Sequence, residues 1–286
     1  MQLYNYTISN LLPLKLLDSS NHIFLSKKNI IKSYGCQKIY KFDNNQNREI
    51  SLCLNTNSFI FRVKDVVSFQ CFTKTNKIFY QFHKEGNQKL LDYWLAHTLL
   101  PIFFTITNKY YFLHAGAVKI ENKTILFMAD SMGGKSTITN YFIQKGHTLV
   151  SDDKVGTFEE EGNFKLVSSY PYHRPYRKFE DLGLKVENFE EAVTNLDIIY
   201  MLDVDEEYNE VKLTELNGIK KLSLLIRGTE IGLPFLLKER FAYITKLANS
   251  TPVFQIQIPK DLKRLSEVYS KIIQHTKEVK RDEFRE

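Results

Sequence analysis

The sequence predicts an α/β fold with a β-rich N-terminal portion, and three observations lead to this prediction. Residues 124–153 alternate an apolar strand, a glycine-bearing loop, a helix and a second apolar strand. Residues 1–85 are short aromatic and β-branched runs separated by turn-forming residues. Residues 87–104 repeat leucine and the single tryptophan at a helical spacing. We expect a β-rich portion with a bridging helix over residues 1–104 and an α/β domain over residues 105–286.

Length and composition are those of a globular protein with a mild positive charge. The 286 residues are 43% hydrophobic, which is enough for a sizeable core. The net charge of +6 comes from 39 basic and 33 acidic residues spread along the chain. This distribution favours a solvated surface with a phosphate-binding cleft over nucleic-acid binding.

Cysteine usage and hydrophobicity bear on the compartment. Cys36, Cys53 and Cys71 lack metal-ligand spacing, so we expect buried or unreactive thiols in a reducing compartment. No apolar run approaches the roughly 20 residues of a membrane span. Residues 1–12 lack a charged stretch followed by an apolar core, so we find no signal peptide. We therefore expect a cytoplasmic protein with no membrane partner.

The elements before the loop follow from local patterns. Short apolar runs predict strands at residues 3–8, 51–54, 59–63, 67–72 and 77–82. The helix at 87–104 carries Trp94 on its core face. Residues 110–120 read as a strand joined by a tight turn to the strand that starts at residue 124, so the two can lie side by side. His114 would then lie near the loop, although a lone strand histidine is more often structural.

The stretch after the second of these strands has the order of a phosphate-binding loop. The run GGKS at residues 133–136 follows an apolar strand and opens a helix. Backbone N–H groups in such a loop bind phosphate oxygens, the lysine reaches the β- and γ-phosphates, and the serine hydroxyl ligates Mg²⁺. The predicted nucleotide-binding residues are Asp130, Ser131, Met132, Gly133, Gly134, Lys135, Ser136 and Thr137.

Two details qualify this motif. The strand at residues 148–150 delivers Asp152 and Asp153, and a carboxylate at the end of a neighbouring strand completes a magnesium site in such proteins. The consensus G-x-x-x-x-G-K-[ST] begins with glycine, whereas this chain has Ala129 there. Because alanine tolerates positive φ less well, we expect a slightly altered loop entry.

The remaining elements lie downstream of Asp153. Residues 156–164 read as an acidic turn region, and residues 166–169 as a strand. Two prolines and three tyrosines make 170–177 a structured loop. Its Arg174 and Arg177 are either bidentate ligands of a phosphate or carboxylate, or surface arginines. We further predict helices at 189–196, 222–227, 234–248 and after Pro259, and strands at 198–203, 210–214 and 253–258.

Three stretches resemble a known family. They are LHAGAVKI at residues 113–120, FMADSMGGKST at 127–137 and GHTLVSDD at 146–153. They resemble the catalytic domain of HPr serine kinase/phosphorylase, and more closely the HPr-kinase-like proteins found beside peptide-modification genes. The specific motifs cover about residues 105–180, with a looser likeness at 251–259 before the final helix. The N-terminal pattern resembles the β-rich leader of the HPr-kinase-like group.

The resemblance implies a P-loop-bearing core of the HPr-kinase/phosphoenolpyruvate-carboxykinase type with a mixed sheet. Residues 133–137 match the family's loop, and His114 matches a histidine near the active acids. Asp152 and Asp153 match paired aspartates, of which one is the base and the other a metal ligand. We assign Asp152 as the base, held by a hydrogen bond from His114. Asp153 and Ser136 would then ligate Mg²⁺, although the order of the two aspartates stays open.

The implied activity is an ATP- and Mg²⁺-dependent kinase acting on a serine-type hydroxyl of a peptide, a protein or a small molecule, with a peptide favoured by analogy. The predicted catalytic residues are Asp152, His114 and Lys135, which match the family, and Arg174 from the loop at 170–177. One alternative is a nucleotide-binding regulatory or assembly protein without phosphotransfer, which Ala129 favours. Another is an NTP hydrolase, which the paired aspartates disfavour because hydrolysis needs only a group that orients water.

The chain also departs from the true HPr kinases. Residues 225–232 have only a superficial likeness to the family's downstream glycine-rich signature, so HPr as substrate and the phosphorolysis activity are both in doubt. The true enzymes are oligomers, and a homo-oligomer is therefore an implied assembly. Nothing in this chain marks an interface.

Overall fold

The computed structural model of the chain describes residues 1–9, 21–28, 30, 38–44, 48–130, 133–175 and 178–279. The predicted site residues Ser131, Met132 and Arg177 lie outside this set, as does Cys36. The chain divides into two compact units. Unit 1 is Met1–Lys109 together with Lys178–Leu182, and unit 2 is Tyr110–Arg177 together with Gly183–Glu286.

Unit 1 contains a mixed sheet of eight described strands in the order β1-β2-β3-β8-β7-β6-β5-β4. Strands β4 to β8 form an antiparallel ladder, whereas β3 lies parallel to β2 and β8. The strands are β1 (Gln2–Leu3), β2 (Tyr6–Ser9), β3 (His22–Lys27), β4 (Lys38–Asn44), β5 (Arg48–Leu54), β6 (Ser58–Val63), β7 (Val67–Phe72) and β8 (Lys77–Phe82).

One predicted strand of unit 1 is wrong. Residues 3–8 form two short strands, β1 and β2, that pair antiparallel across a turn at Tyr4 and Asn5. Both turn residues have positive φ, 50° and 61°. Two-residue hairpins of this kind require positive φ at both central positions, where asparagine is favoured. The hydrophobic pattern of residues 3–8 therefore does not reveal the turn at Tyr4 and Asn5.

The predicted helix at 87–104 is confirmed, with a break in its period. It runs as α1 (Gln88–Trp94), a π-helical turn at Leu95–Leu99, and α2 (Leu100–Ile106). Asn87 caps it by accepting a hydrogen bond from Leu90 N. The Trp94 ring is buried against Phe61, as its core position predicts, and its Nε1 donates to Glu180 at 2.9 Å.

The cysteines differ from the expectation of three free thiols. Cys53 is disulfide-bonded, so it is not a thiol in this structure. Cys71 is free and fully buried, and burial raises the pKa of its thiol well above the ordinary value. Cys71 therefore fits the predicted unreactive thiol, and Cys53 does not.

Unit 2 contains a second mixed sheet of eight described strands, in the order β15-β12-β11-β9-β10-β16-β18-β17. Strands β10, β16 and β18 are parallel, and β9 lies antiparallel between β10 and β11. The strands are β9 (Tyr111–Ile120), β10 (Lys123–Met128), β11 (Thr148–Glu160), β12 (Asn163–Val167), β15 (Thr194–Asn195), β16 (Ile198–Asp205), β17 (Lys212–Glu215) and β18 (Val253–Pro259). A separate two-stranded sheet pairs β13 (Tyr172–His173) with β14 (Leu184–Lys185).

Helices cover both faces of this sheet. Helices α3 (Lys135–Gln144) and α6 (Leu265–Glu278) pack on one face through side chains such as Phe142 and Ile272. Helices α4 (Gly218–Arg227) and α5 (Leu237–Ser250) pack on the other through Leu225 and Ile244. These helices confirm the predicted helical segments at 222–227, 234–248 and after Pro259. No helix among the described residues is long and apolar enough to cross a membrane.

Two predictions in unit 2 are wrong. The acidic region at 156–164 is mostly strand, because β11 continues to Glu160 and pairs with β12 across a turn at Glu161 and Gly162. The segment 189–196 is not a helix. Leu149 N bonds to Asn188 O, Glu190 N bonds to Leu149 O, and β15 pairs with β12. Its backbone groups are thus satisfied by neighbouring strands, which local propensity does not reveal.

Candidate active site

The glycine-bearing loop connects β10 directly to α3. Gly134 has φ of 84° and is the N-cap of α3, so the chain enters the helix through the left-handed region that favours glycine. Gly133 N donates to Asp130 O at 3.0 Å. A Cβ atom added at Gly133 would lie 2.7 Å from Ala129 Cβ and 3.0 Å from Asp130 O. The loop therefore needs glycine at both positions.

The N-terminus of α3 has the features of an anion site. No side chain caps it, and no acidic residue occurs in its first turn. The first backbone bond of the helix joins Ile138 N to Gly134 O at 3.0 Å, so the N–H groups of Ser136 and Thr137 have no partner within the helix. Lys135 is buried, and its ammonium donates to Ala129 O at 2.8 Å and Asp130 O at 3.3 Å. The helix start thus places backbone N–H donors next to a buried lysine.

The sheet register brings the paired aspartates level with the end of the loop strand. Across β9, Asp152 pairs with Gly116 and Asp153 with Ala115, which in turn pair with Phe127 and Met128 of β10. Neighbouring strands lie about 4.8 Å apart, so β10 and β11 are separated by about 10 Å. Gly116 keeps α3 close to this region, because a Cβ there would meet Thr139 Oγ1 at 2.1 Å.

Asp152 is buried and is held by the loop that follows β12. Its Oδ2 accepts a hydrogen bond from His173 Nδ1 at 2.9 Å and another from Arg174 N at 2.8 Å. The His173 ring is 2% exposed. The sequence predicted a hydrogen bond from His114 to Asp152, but the histidine that contacts Asp152 is His173.

Asp153 is more exposed and is the carboxylate that His114 contacts. His114 Nδ1 lies 3.3 Å from Asp153 Oδ1 and 3.1 Å from Asp153 O. The Arg174 guanidinium lies 3.2 Å from Asp153 Oδ2. The backbone of Asp153 has φ of 68°, the left-handed region. Consecutive residues of one loop, His173 and Arg174, therefore contact both aspartates.

A third carboxylate joins this group from the loop after α4. Glu230 Oε2 lies 3.3 Å from His114 Nδ1, and Glu230 Oε1 lies 3.4 Å from Lys154 Nζ. Beyond the end of β10, residues 228–230 pair with β9 in its place. His114 N donates to Gly228 O, and Glu230 N donates to Phe112 O. Residues 228–230 thus lie across β9 from Asp153 and Lys154, within the segment whose likeness to a glycine-rich signature is superficial in sequence.

Sequence reasoning missed His173, Lys154 and Glu230. His173 directly precedes Arg174 in the proline-containing segment 170–177. Its position next to a candidate arginine was the signal that could have identified it. Glu230 was detectable only through the weak likeness of residues 225–232. Lys154 directly follows the aspartate pair, and its buried position depends on strand pairing that the sequence does not display.

The donor set fits a nucleotide with Mg²⁺. Gly133 leaves no space for a Cβ, and the buried Lys135 lies at the start of a helix whose first turn has no capping side chain, as suits a phosphate cradle. Among the described residues no three His, Cys, Asp or Glu side chains form a group that could hold a metal by themselves. Mg²⁺ in such proteins is held by one or two side chains and substrate phosphates, for which Ser136 and an aspartate suffice.

Comparisons with known proteins give a distant structural likeness. No protein-family model and no curated protein matches the chain. Among solved structures, the chain is similar to the HPr(Ser) kinase/phosphatase from Coxiella burnetii with 15% sequence identity and a TM-score of 0.38. The similarity covers 58% of this chain and 97% of that one. At this TM-score the likeness is a distant structural relationship, and any argument about function must come from the residues themselves.

Proposed function

We propose that this chain is an ATP-dependent kinase that phosphorylates a serine-type hydroxyl. The observation that carries the proposal is the position of the loop Gly133–Gly134–Lys135, which leads from β10 into α3. The anchored pair Asp152 and Asp153 lies on β11, and β9 is the one strand between β10 and β11. A phosphate cradle next to paired carboxylates suits transfer to an alcohol, because one carboxylate can take the hydroxyl proton while the other binds a metal ion.

The motif and the contacts together support the following proposed roles. Lys135 and the first-turn N–H groups of α3 bind the phosphates, and Ser136 with Asp153 holds Mg²⁺. Bound ATP–Mg²⁺ supplies the γ-phosphoryl group. Asp152 takes the proton of the acceptor hydroxyl. The hydroxyl oxygen bonds to the γ-phosphorus, and the bond between the γ-phosphorus and the leaving oxygen of ADP breaks. Most of the rate enhancement would come from positioning and from charge stabilisation.

His114 and Arg174 have supporting roles in this proposal. Their contacts with the Asp153 carboxylate support a role in holding the metal ligand rather than the base. Arg174 also donates its backbone N–H to Asp152, so it links the two acids. We propose that both residues are needed for phosphotransfer, and that Arg174 adds positive charge near the transferring group.

The acceptor and the setting are further parts of the proposal. We favour a peptide over a protein or a small molecule as acceptor, and a homo-oligomer as the assembly, both by analogy with the family that the motifs resemble. We propose the cytoplasm as the setting because ATP is available there. The Cys53 disulfide is instead typical of oxidising compartments, so a thiol count on protein isolated without reductant tests this part.

The first experiment is phosphate transfer from γ-labelled ATP with Mg²⁺. The acceptors are serine-containing peptides, including any precursor peptide encoded beside the gene, together with free serine and HPr. We expect label in one acceptor class with the wild-type chain and none with Lys135→Ala. Phosphate release without any labelled acceptor would instead indicate an NTP hydrolase.

One observation favours a second candidate, a nucleotide-binding regulatory or assembly protein. Ala129 occupies the first glycine position of the loop, and its Cβ lies against Gly133. This candidate predicts ATP binding with neither labelled acceptor nor phosphate release. In that case Ala129→Gly would be the variant to examine for gained turnover.

A further inference from the structure

We propose that His173 is a positioning residue that fixes the carboxylate of Asp152 for proton transfer, an inference that rests on the function proposed above. The His173 Nδ1 atom lies 2.9 Å from Asp152 Oδ2. The same oxygen accepts the Arg174 N–H at 2.8 Å. A carboxylate oxygen is the acceptor in such a pair, and the proposal places the imidazole proton on Nδ1.

The surroundings of the ring argue against a purely structural histidine. The ring is 2% exposed, and its Nε2 atom is buried with no hydrogen-bond partner among the described residues. Buried polar atoms in folded proteins nearly always have partners, so a histidine retained only for packing would be expected to satisfy both nitrogens. The hydrogen bond of the ring among the described residues is the one from Nδ1 to the Asp152 carboxylate. An apolar side chain would fill the same space without leaving a nitrogen unpaired.

The local fold holds the ring firmly. His173 lies in β13, which pairs with β14 through Leu184. The returning chain passes through Gly183, whose φ is 100°. A Cβ atom there would come within 2.3 Å of His173 O and 2.8 Å of Arg174 Cγ. The backbone of His173 is therefore held by its pairing with β14 and by the close approach of Gly183.

These contacts orient the carboxylate of Asp152 without using all of it. Two donors bind Oδ2, and no described residue bonds to Oδ1. With Oδ2 fixed, the carboxylate cannot rotate freely, and the lone pairs of Oδ1 keep one direction. Oδ1 is then the atom that receives the acceptor's hydroxyl proton. Loss of the Nδ1 donor would leave Arg174 N as the remaining donor to Oδ2, around which the group can turn.

Two amide substitutions separate this role from general packing. In His173→Asn the amide nitrogen can occupy the place of Nδ1, whereas in His173→Gln it occupies the place of Nε2 and points away from Asp152. We expect His173→Gln to lower kcat about 100-fold, the scale of a small misplacement of a reacting group. We expect His173→Asn to stay within about tenfold of the wild type, and both variants to keep the KM for ATP within about twofold, because the ring has no hydrogen bond to the described residues of the phosphate loop.

The outcomes are decided by kcat, KM and thermal stability measured together. Equal losses of kcat in both variants, or a rise in KM that matches the fall in kcat, would overturn the proposal. The proposal would also be overturned if both variants matched the wild type in melting temperature and in kcat, because the ring would then only fill space. A second readout does not need kinase activity: the ¹⁵N resonances of the ring should show a protonated Nδ1 in the wild type. An unprotonated Nδ1 overturns the inference even if the chain proves to be a kinase.

The same pair of readouts distinguishes the two proposals. If the wild-type chain labels no acceptor, the proposed function fails, and the catalytic role of His173 fails with it even when the Nδ1 proton is present. If the wild type labels an acceptor and His173→Gln is as fast, only the positioning role is wrong.

Discussion

The substitution Gly133→Ala should weaken ATP binding because the loop has no room for a methyl group. The added Cβ would lie 2.7 Å from Ala129 Cβ and 3.0 Å from Asp130 O. Carbon atoms normally approach to about 3.5–4.0 Å, so the loop backbone must move. Overpacking of this kind costs about 1–3 kcal/mol. If that cost falls on the ATP-bound loop, the affinity for ATP decreases about 5- to 150-fold, at 1.4 kcal/mol for each factor of ten.

The assay is titration calorimetry with ATP–Mg²⁺, and the chain offers a compensating variant. Ala129→Gly removes the Cβ at 2.7 Å, so that Asp130 O at 3.0 Å becomes the nearest of the three atoms that the new Cβ would meet. Gly133→Ala combined with Ala129→Gly should therefore recover most of the lost affinity, with melting temperatures measured for all variants as a control of folding. The reasoning is refuted if Gly133→Ala binds ATP as tightly as the wild type, or if the second substitution restores nothing.

Two further predictions concern α3 and the segment that follows it. In Gly116→Ala the new Cβ would lie 2.1 Å from Thr139 Oγ1, so we expect a loss of about 1–3 kcal/mol in the free energy of unfolding, largely restored by Thr139→Ala. Equal melting temperatures of Gly116→Ala and the wild type would contradict this packing argument. Burial against Tyr269 lowers the pKa of His147, so the unfolded chain binds the proton more readily than the folded one. Stability should be fully present above the ordinary histidine pKa of about 6.5 and fall as the pH drops below it. His147→Gln should flatten that part of the urea-midpoint profile, and an unchanged profile would show that His147 is not responsible.

Elements specified by local sequence could be predicted. The strand, loop and helix around Gly134 are marked by a buried apolar run, a residue suited to positive φ and a helical period, and all three lie within about 20 residues. The helix with Trp94 and the helix after Pro259 follow from the same periodicity. In each case the residues that decide the structure are neighbours in sequence.

Elements that depend on distant partners could not be predicted. The segment containing Phe189 has residues compatible with a helix, but its backbone groups pair with Leu149 of β11. The sequence also could not show that β11 stays extended to Glu160, because its partner strand lies beyond a turn. Strand pairing of this kind overrides local preference.

The candidate site shows the same division. Lys135 and the two aspartates were accessible from motif and spacing. Their partners were not: His173 contacts Asp152 from a loop 21 residues away, and Glu230 reaches His114 from beyond α4. Hydrogen-bond partners are set by the pairing of β9 with β11 and by the loop after β12, which only the folded chain displays.

Asp152 is the proposed base of the phosphotransfer reaction, and the substitution Asp152→Asn tests this role. The asparagine keeps the size of the side chain and removes the acid–base function, while Lys135 and the phosphate loop are untouched. With the acceptor found in the labelling experiment, we expect unchanged ATP affinity by calorimetry and a loss of transfer of at least about 100-fold, the scale of general base catalysis. Transfer at the wild-type rate in Asp152→Asn would show that Asp152 is not the base.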